Sequence, residues 1–168
     1  MLKKVVFSLF LGLAAQAYGQ TPNYQTYSLF VYSFTRFVQW PPEESNGDFE
    51  IAVLGESPIL AELKSMADKK KVAGRNIRVT KINSLTDYKK SQMLYLSQDW
   101  LARYPEVATR VGDAPVLLVT ELGAGANKGS INFINNKEGK VGFELNQASL
   151  AKHRLKASAE LTRLAIIN

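Results

Sequence analysis

Residues 115–120 read PVLLVT, a run that is apolar at nearly every position and too short for a helix. A strand with one wet face alternates apolar and polar residues. This one does not alternate, so it is a central strand buried on both sides, the kind found in parallel sheets covered by helices. Upstream, Ser97 or Asp99 caps a helix predicted over about 99–109, whose apolar face is Trp100, Leu101, Tyr104 and Val107. Before it, Met93 to Leu96 is a short strand, and Ile77 to Ile82 alternates apolar and basic residues as a half-buried strand.

Asp48 to Leu54 (DFEIAVL) is a further strand, and Gly55-Glu56-Ser57-Pro58 turns it into a helix. Ser57 is its expected N-cap, Pro58 its first residue and about Lys70 its end. Ile59, Leu60, Leu63, Met66 and Ala67 supply its apolar face. Lys69-Lys70-Lys71 then lies near the negative end of the helix dipole. The alternation of strands and helices predicts an α/β fold, a three-layer sandwich in which a mixed, mostly parallel sheet carries helices on both faces.

Downstream of PVLLVT, Gly123, Gly125 and Gly129 punctuate a loop, and the strands Ser130 to Ile134 and Lys140 to Leu145 flank Asn135 to Gly139 as a β-hairpin. The stretch GAGANKGS (123–130) reads Lys-Gly-Ser where a phosphate loop needs lysine directly before serine or threonine, and a strand rather than a helix follows. Loops at the carboxyl ends of such strands often border ligand crevices. Arg75, Asn127, Lys128, Ser130 and Asn132 are polar positions that line such a crevice or serve as turn and strand-end residues. Asn146 caps the last helical region, whose apolar face shifts near His153-Arg154 and predicts a break there, with the helix resuming through Ala157, Leu161 and Leu164.

At the other end, YSLFVYSFTRFVQWPP (27–42) carries Tyr27, Phe30, Val31, Phe34, Phe37 and Val38 in steps of three and four, one face of a helix. Pro41 disfavours the helical conformation for the residue before it, which ends the helix at about Trp40. Leu29, Tyr32 and Arg36 lie off the core stripe and are candidate partner contacts. Before this helix, a basic start, an apolar run from Val5 to Ala15 and small residues at Ala15, Ala17 and Gly19 read as a secretory signal over residues 1–19. The expected product, residues 20–168, is one exported domain of about 149 residues, long enough for a single core. After signal removal it does not span a membrane.

The 168 residues include no cysteine, which excludes disulfides, thiol catalysis and thiolate metal sites. Loss of Lys3 and Lys4 lowers the formal charge from +6 to +4, and the remaining basic residues are dispersed, so a nucleic-acid partner is not expected. His153 is the single histidine, expected to face solvent or cap a helix, and sites with several imidazoles are excluded. Glu43, Glu44, Asp99 and Glu121 show no spacing that marks an acid/base pair. No catalytic residue, metal or cofactor is therefore expected.

Seven blocks in order, FVQWP (37–41), FEIAVLGESP (49–58), VAGRNIRV (72–79), PVLLVT (115–120), GSINF (129–133), KVGFELN (140–146) and LKASAELTRLA (155–165), resemble the YfiR-like (YfiR/HmsC) family of bacterial periplasmic proteins. The resemblance implies a single α/β domain that regulates without catalysing, and that tends to form a homodimer. Characterised members restrain an inner-membrane diguanylate cyclase by binding its periplasmic region, which adjusts cyclic-di-GMP and biofilm formation. Related domains serve sensor kinases. A small-ligand-binding module, with its crevice beside Leu122 to Ser130, is the alternative. Two departures stand out: cysteine-based redox sensing does not carry over, and the glycine usual before the leucine of the last helix is Arg154 here. A persisting kink there places a non-glycine residue in the left-handed region at a cost of about 1 kcal/mol; the alternative is a continuous helix.

Overall fold

A computed structural model describes residues 23–121, 129–135 and 140–165. The signal over 1–19, the loop candidates Asn127 and Lys128, and the tip of the predicted hairpin lie outside the described residues.

The chain opens with helix α1 (Tyr24–Phe37), capped by Asn23, whose side chain accepts from Thr26 N at 3.1 Å. It ends at Phe37, three residues before the expected stop at Trp40. Val38–Gln39 is instead a short strand, β1, paired antiparallel with Lys156–Ala157 near the carboxyl end. The following N–H, of Ser158, donates to Phe37 O at 2.8 Å, so the two ends of the domain are tied where the helix would have continued. Of the predicted stripe, Tyr27, Val31, Phe34 and Val38 are buried, whereas Phe30 and Phe37 are half-buried.

After a 3-10 turn at Pro42–Glu44 come β2 (Phe49–Leu54), α2 (Ile59–Ala67), β3 (Lys71–Val72), β4 (Arg75–Ile82) and β5 (Met93–Leu96). A 3-10 stretch at Gln98–Arg103 leads into α3 (Tyr104–Val111), followed by β6 (Leu117–Thr120), β7 (Ile131–Asn135), β8 (Val141–Leu145), α4 (Gln147–Lys152), β9 (Lys156–Ala157) and α5 (Ala159–Leu164). The sheet runs β3-β4-β2-β5-β6-β7-β8. Its five inner strands are parallel, and β3 and β8 close the two sides antiparallel, so the fold is α/β with a mixed, mostly parallel sheet.

Two separate apolar clusters coat the two sheet faces. α1, α2 and α5 cover one face, where Tyr27 stacks on Phe133 at 4.5 Å and Phe34 meets Phe143 edge-on at 5.0 Å. The 3-10 stretch and α3 cover the other, with Trp100, Leu101 and Val107 on Leu94, Leu96 and Leu118.

Three expectations need correction. The lysine run does not end α2, which stops at Ala67. Lys71 belongs to β3, joined to β4 by a two-residue turn in which Ala73 and Gly74 both have positive φ, 48° and 80°. The single helix expected over 99–109 is a 3-10 stretch and then an α-helix, because Pro105 falls in the first turn of α3, where its missing N–H is harmless. The last helical region breaks where expected, with Arg154 at φ 56°, but α5 resumes at Ala159 because Lys156–Ala157 is engaged with β1.

Candidate functional site

β2 leads through α2 to β4 on one side, and the chain then returns to β5 on the other side of β2. The crossover directions diverge between β2 and β5, and in open α/β sheets ligands bind outside the carboxyl ends of strands at such a point. Registers place Leu54, Leu96, Thr120 and Asn132 level with one another at that edge. The residues just beyond them form the candidate site.

Gly55 leaves β2 at φ 90°, and a Cβ there would lie 2.1 Å from Ser97 Oγ and 2.5 Å from the Trp100 ring. Only glycine fits this exit. Ser97 Oγ donates to Leu54 O at 2.6 Å and contacts Asp99 Oδ1. Tyr95 of β5 pairs with Val119 of β6, and Glu121, two residues past Val119, returns to the same face, beneath the start of α1. Glu121 is buried at 4% exposure. Its Oε1 accepts from Ser57 Oγ at 2.9 Å and its Oε2 from Gln98 N at 3.0 Å, which ties the loops after β2, β5 and β6 together.

Tyr24, Tyr27 and Tyr95 gather around this carboxylate. Burial pushes the Tyr24 phenol up to about 12, reinforced by its bond to Glu121 and the Glu121 charge. Burial and then the Glu121 charge also raise Tyr27 and Tyr95, the latter strongly. The rings of Tyr24 and Tyr27 meet edge-on at 5.5 Å. Among the described residues, the hydroxyls of Tyr27 and Tyr95, both on fully buried side chains, have no hydrogen-bond partner, although Ser57 is near enough to Tyr95 to favour its phenolate.

Two predicted crevice residues belong to this edge and are engaged in holding it. Asn132 Oδ1 accepts from Thr120 Oγ1 and from Gly129 N, each at 2.8 Å, and Ser130 Oγ lies 2.9 Å from Ser149 Oγ. Arg75 is not brought to them. It starts β4 at the opposite, amino-terminal edge, with β2, β5 and β6 in between, and its guanidinium donates to the carbonyls of Glu44, Asn46, Gly47 and Asp48 at 2.7 to 3.2 Å. His153 is the C-cap of α4, but it does not face solvent: it is 2% exposed, and its Nδ1 lies 2.8 Å from Ala114 O, so Nδ1 carries the proton it donates. Burial lowers its pKa.

The proposed partner contacts lie together on the outer side of α1. Leu29 is 59% exposed, Arg36 is exposed with its guanidinium 6.0 Å from the Tyr32 ring, and Tyr32 is half-buried, its hydroxyl donating to Lys71 O at 3.3 Å. Sequence reasoning missed Tyr24, Tyr27 and Tyr95 as site residues because their spacing reads as core. Glu121 had one legible signal, a charged residue directly after a strand buried on both faces.

Among the described residues, no helix is long and apolar enough to cross a membrane, and no group of three or more metal-binding side chains occurs. No curated protein is similar enough to the chain to count as a relative. The family comparison is decisive over nearly the whole domain just described: residues 24–166, from the first turn of α1 to beyond α5, match the YfiR/HmsC-like family, and the chain belongs to it.

Proposed function

We propose that the chain is a periplasmic regulator that binds and restrains an inner-membrane signalling enzyme, a diguanylate cyclase or a sensor kinase, and that the outer face of α1 is its contact surface. Family membership supports the regulatory role in cyclic-di-GMP signalling. The observation that carries the surface is Leu29. A leucine 59% exposed at the centre of a helix face offers apolar area beside Arg36 and the rim of the Tyr32 ring, and arginine and tyrosine are residue types enriched in interface hot spots. The reading is of a binding protein: His153, the one candidate imidazole base, is engaged with a backbone carbonyl. Export by the signal over residues 1–19 and pairing into a homodimer belong to the same reading.

Crosslinking in intact cells followed by pull-down tests it. The native chain captures a membrane protein bearing a cyclase or kinase domain, and Leu29→Asp lowers capture by about tenfold, the loss of one anchor. Thermal stability of that variant stays unchanged, because Leu29 contributes little to the core. Deletion of the gene raises cyclic-di-GMP or derepresses the kinase output. An unchanged second-messenger level together with no captured membrane partner would sink the reading.

A further inference from the structure

The polar groups at the carboxyl edge are unbalanced in one direction. Glu121 is a buried carboxylate, and no lysine, arginine or histidine among the described residues pairs with it. Its hydrogen bonds, from Ser57 Oγ, Gln98 N and the Tyr24 hydroxyl, use three of its four lone-pair positions and bring no positive charge. In the same core, two phenol oxygens on side chains with 0% exposure have no hydrogen-bond partner among the described residues. Buried polar atoms without partners are few in folded proteins, and each marks strain, chemistry or a missing group. Tyr27 and Tyr95 both pack on Phe133, and Tyr95 pairs with Val119 on the sheet face to which Glu121 returns, so the two hydroxyls and the carboxylate share one region of the core.

We propose that Tyr27, Tyr95 and Glu121 form a binding site for the primary ammonium group of a small amine. An ammonium has three N–H donors and no acceptor, and the cluster presents three free acceptor positions, one on each phenol oxygen and one on the carboxylate. Its charge also compensates Glu121, which a water molecule cannot do. An anion is disfavoured, because it would stand beside a buried carboxylate. A divalent metal needs more hard oxygen ligands than one carboxylate and two neutral phenols. Tyr24 is half-buried and edge-on to Tyr27, so it is the member of the cluster that reaches solvent, and the alkyl part of the amine would lie beside it. This site is separate from the outer face of α1, and the inference does not depend on the proposed regulatory partner.

Calorimetric titration of the full chain with ethanolamine and with putrescine tests the site, with acetate and succinate as charge-reversed controls. Both amines are expected to saturate and to raise the melting temperature, and neither carboxylate to do so. Glu121→Gln, which keeps shape and removes the charge, is expected to bind about tenfold more weakly, and Tyr27→Phe and Tyr95→Phe about threefold each. The two phenylalanine variants keep the core filled, so they decide the matter if Glu121→Gln does not fold. Absence of saturable binding by either amine, equal binding of the carboxylates, or native affinity in all folded variants overturns the proposal. So does a crystal grown in saturating ethanolamine that shows only water at the two hydroxyls.

Discussion

The two edges of the sheet handle polar groups in opposite ways. At the amino-terminal edge every conspicuous group is matched: Arg75 donates to four carbonyls, buried Glu44 receives Lys90 at 2.7 Å and Gln92 at 3.2 Å, and Trp40 Nε1 donates to Gln92 O at 3.1 Å. His153 meets Ala114 O there too. At the carboxyl-terminal edge, Tyr27 and Tyr95 keep hydroxyls unbonded, and Glu121 has no cation, among the described residues. The first edge is complete within the chain and serves stability. The second is complete only with something added, which is how a binding site differs from a structural knot.

The largest expected effect lies at the carboxyl edge and concerns its shape. Gly55→Ala forces a side chain against Ser97 Oγ and Trp100 at a residue with φ 90°, and we expect a loss of about 4 kcal/mol in urea unfolding. A small loss would show that the exit of β2 is loose, and the contrast of edges would weaken. Next, Arg75→Ala removes four bonds from a charged donor and frees residues 44–48, for a loss of about 3 kcal/mol. A loss under about 1 kcal/mol would mean the carbonyls find water without cost.

A smaller effect is the pH dependence carried by His153. Its folded pKa lies below the ordinary 6.5, so the unfolded chain takes up the proton first. The stability of neutral, buried His153 is therefore fully present above about pH 6.5 and is lost as pH falls through that value towards the folded pKa. Unfolding curves between these limits should show the decline, and His153→Gln should flatten it. The smallest effect sharpens the comparison most: Tyr95→Phe removes an unbonded buried hydroxyl and should raise the stability of the ligand-free chain by up to about 1 kcal/mol. A loss of stability would show the hydroxyl to be satisfied, and the two edges would be alike.

Much of the fold was legible in short stretches. PVLLVT announced a strand buried on both faces, the 27–38 stripe announced α1, and Asn146 and the shifted apolar face announced α4 and the break at Arg154. The misreadings share a cause. Trp40 as the end of α1, Ala157 as helical and the lysine run 69–71 as the end of α2 each yielded to pairing with a strand distant in sequence or folded back by a turn, which outweighs local propensity. The site was harder still. Tyr27 and Tyr95 sit at core spacing, and a tyrosine whose hydroxyl is satisfied has the same pattern as one whose hydroxyl is not.

By itself the sequence determined the alternation of strands and helices, the apolar faces, the caps, the absence of thiol chemistry and the family, because these depend on residue type and on spacing within one element. Only the tertiary structure decided that Arg75 belongs to one edge and Asn132 to the other, that His153 is buried, and that three tyrosines surround Glu121. Those facts depend on strand order and register, which bring together residues up to about a hundred positions apart, and no local periodicity records which distant strand a segment will pair with.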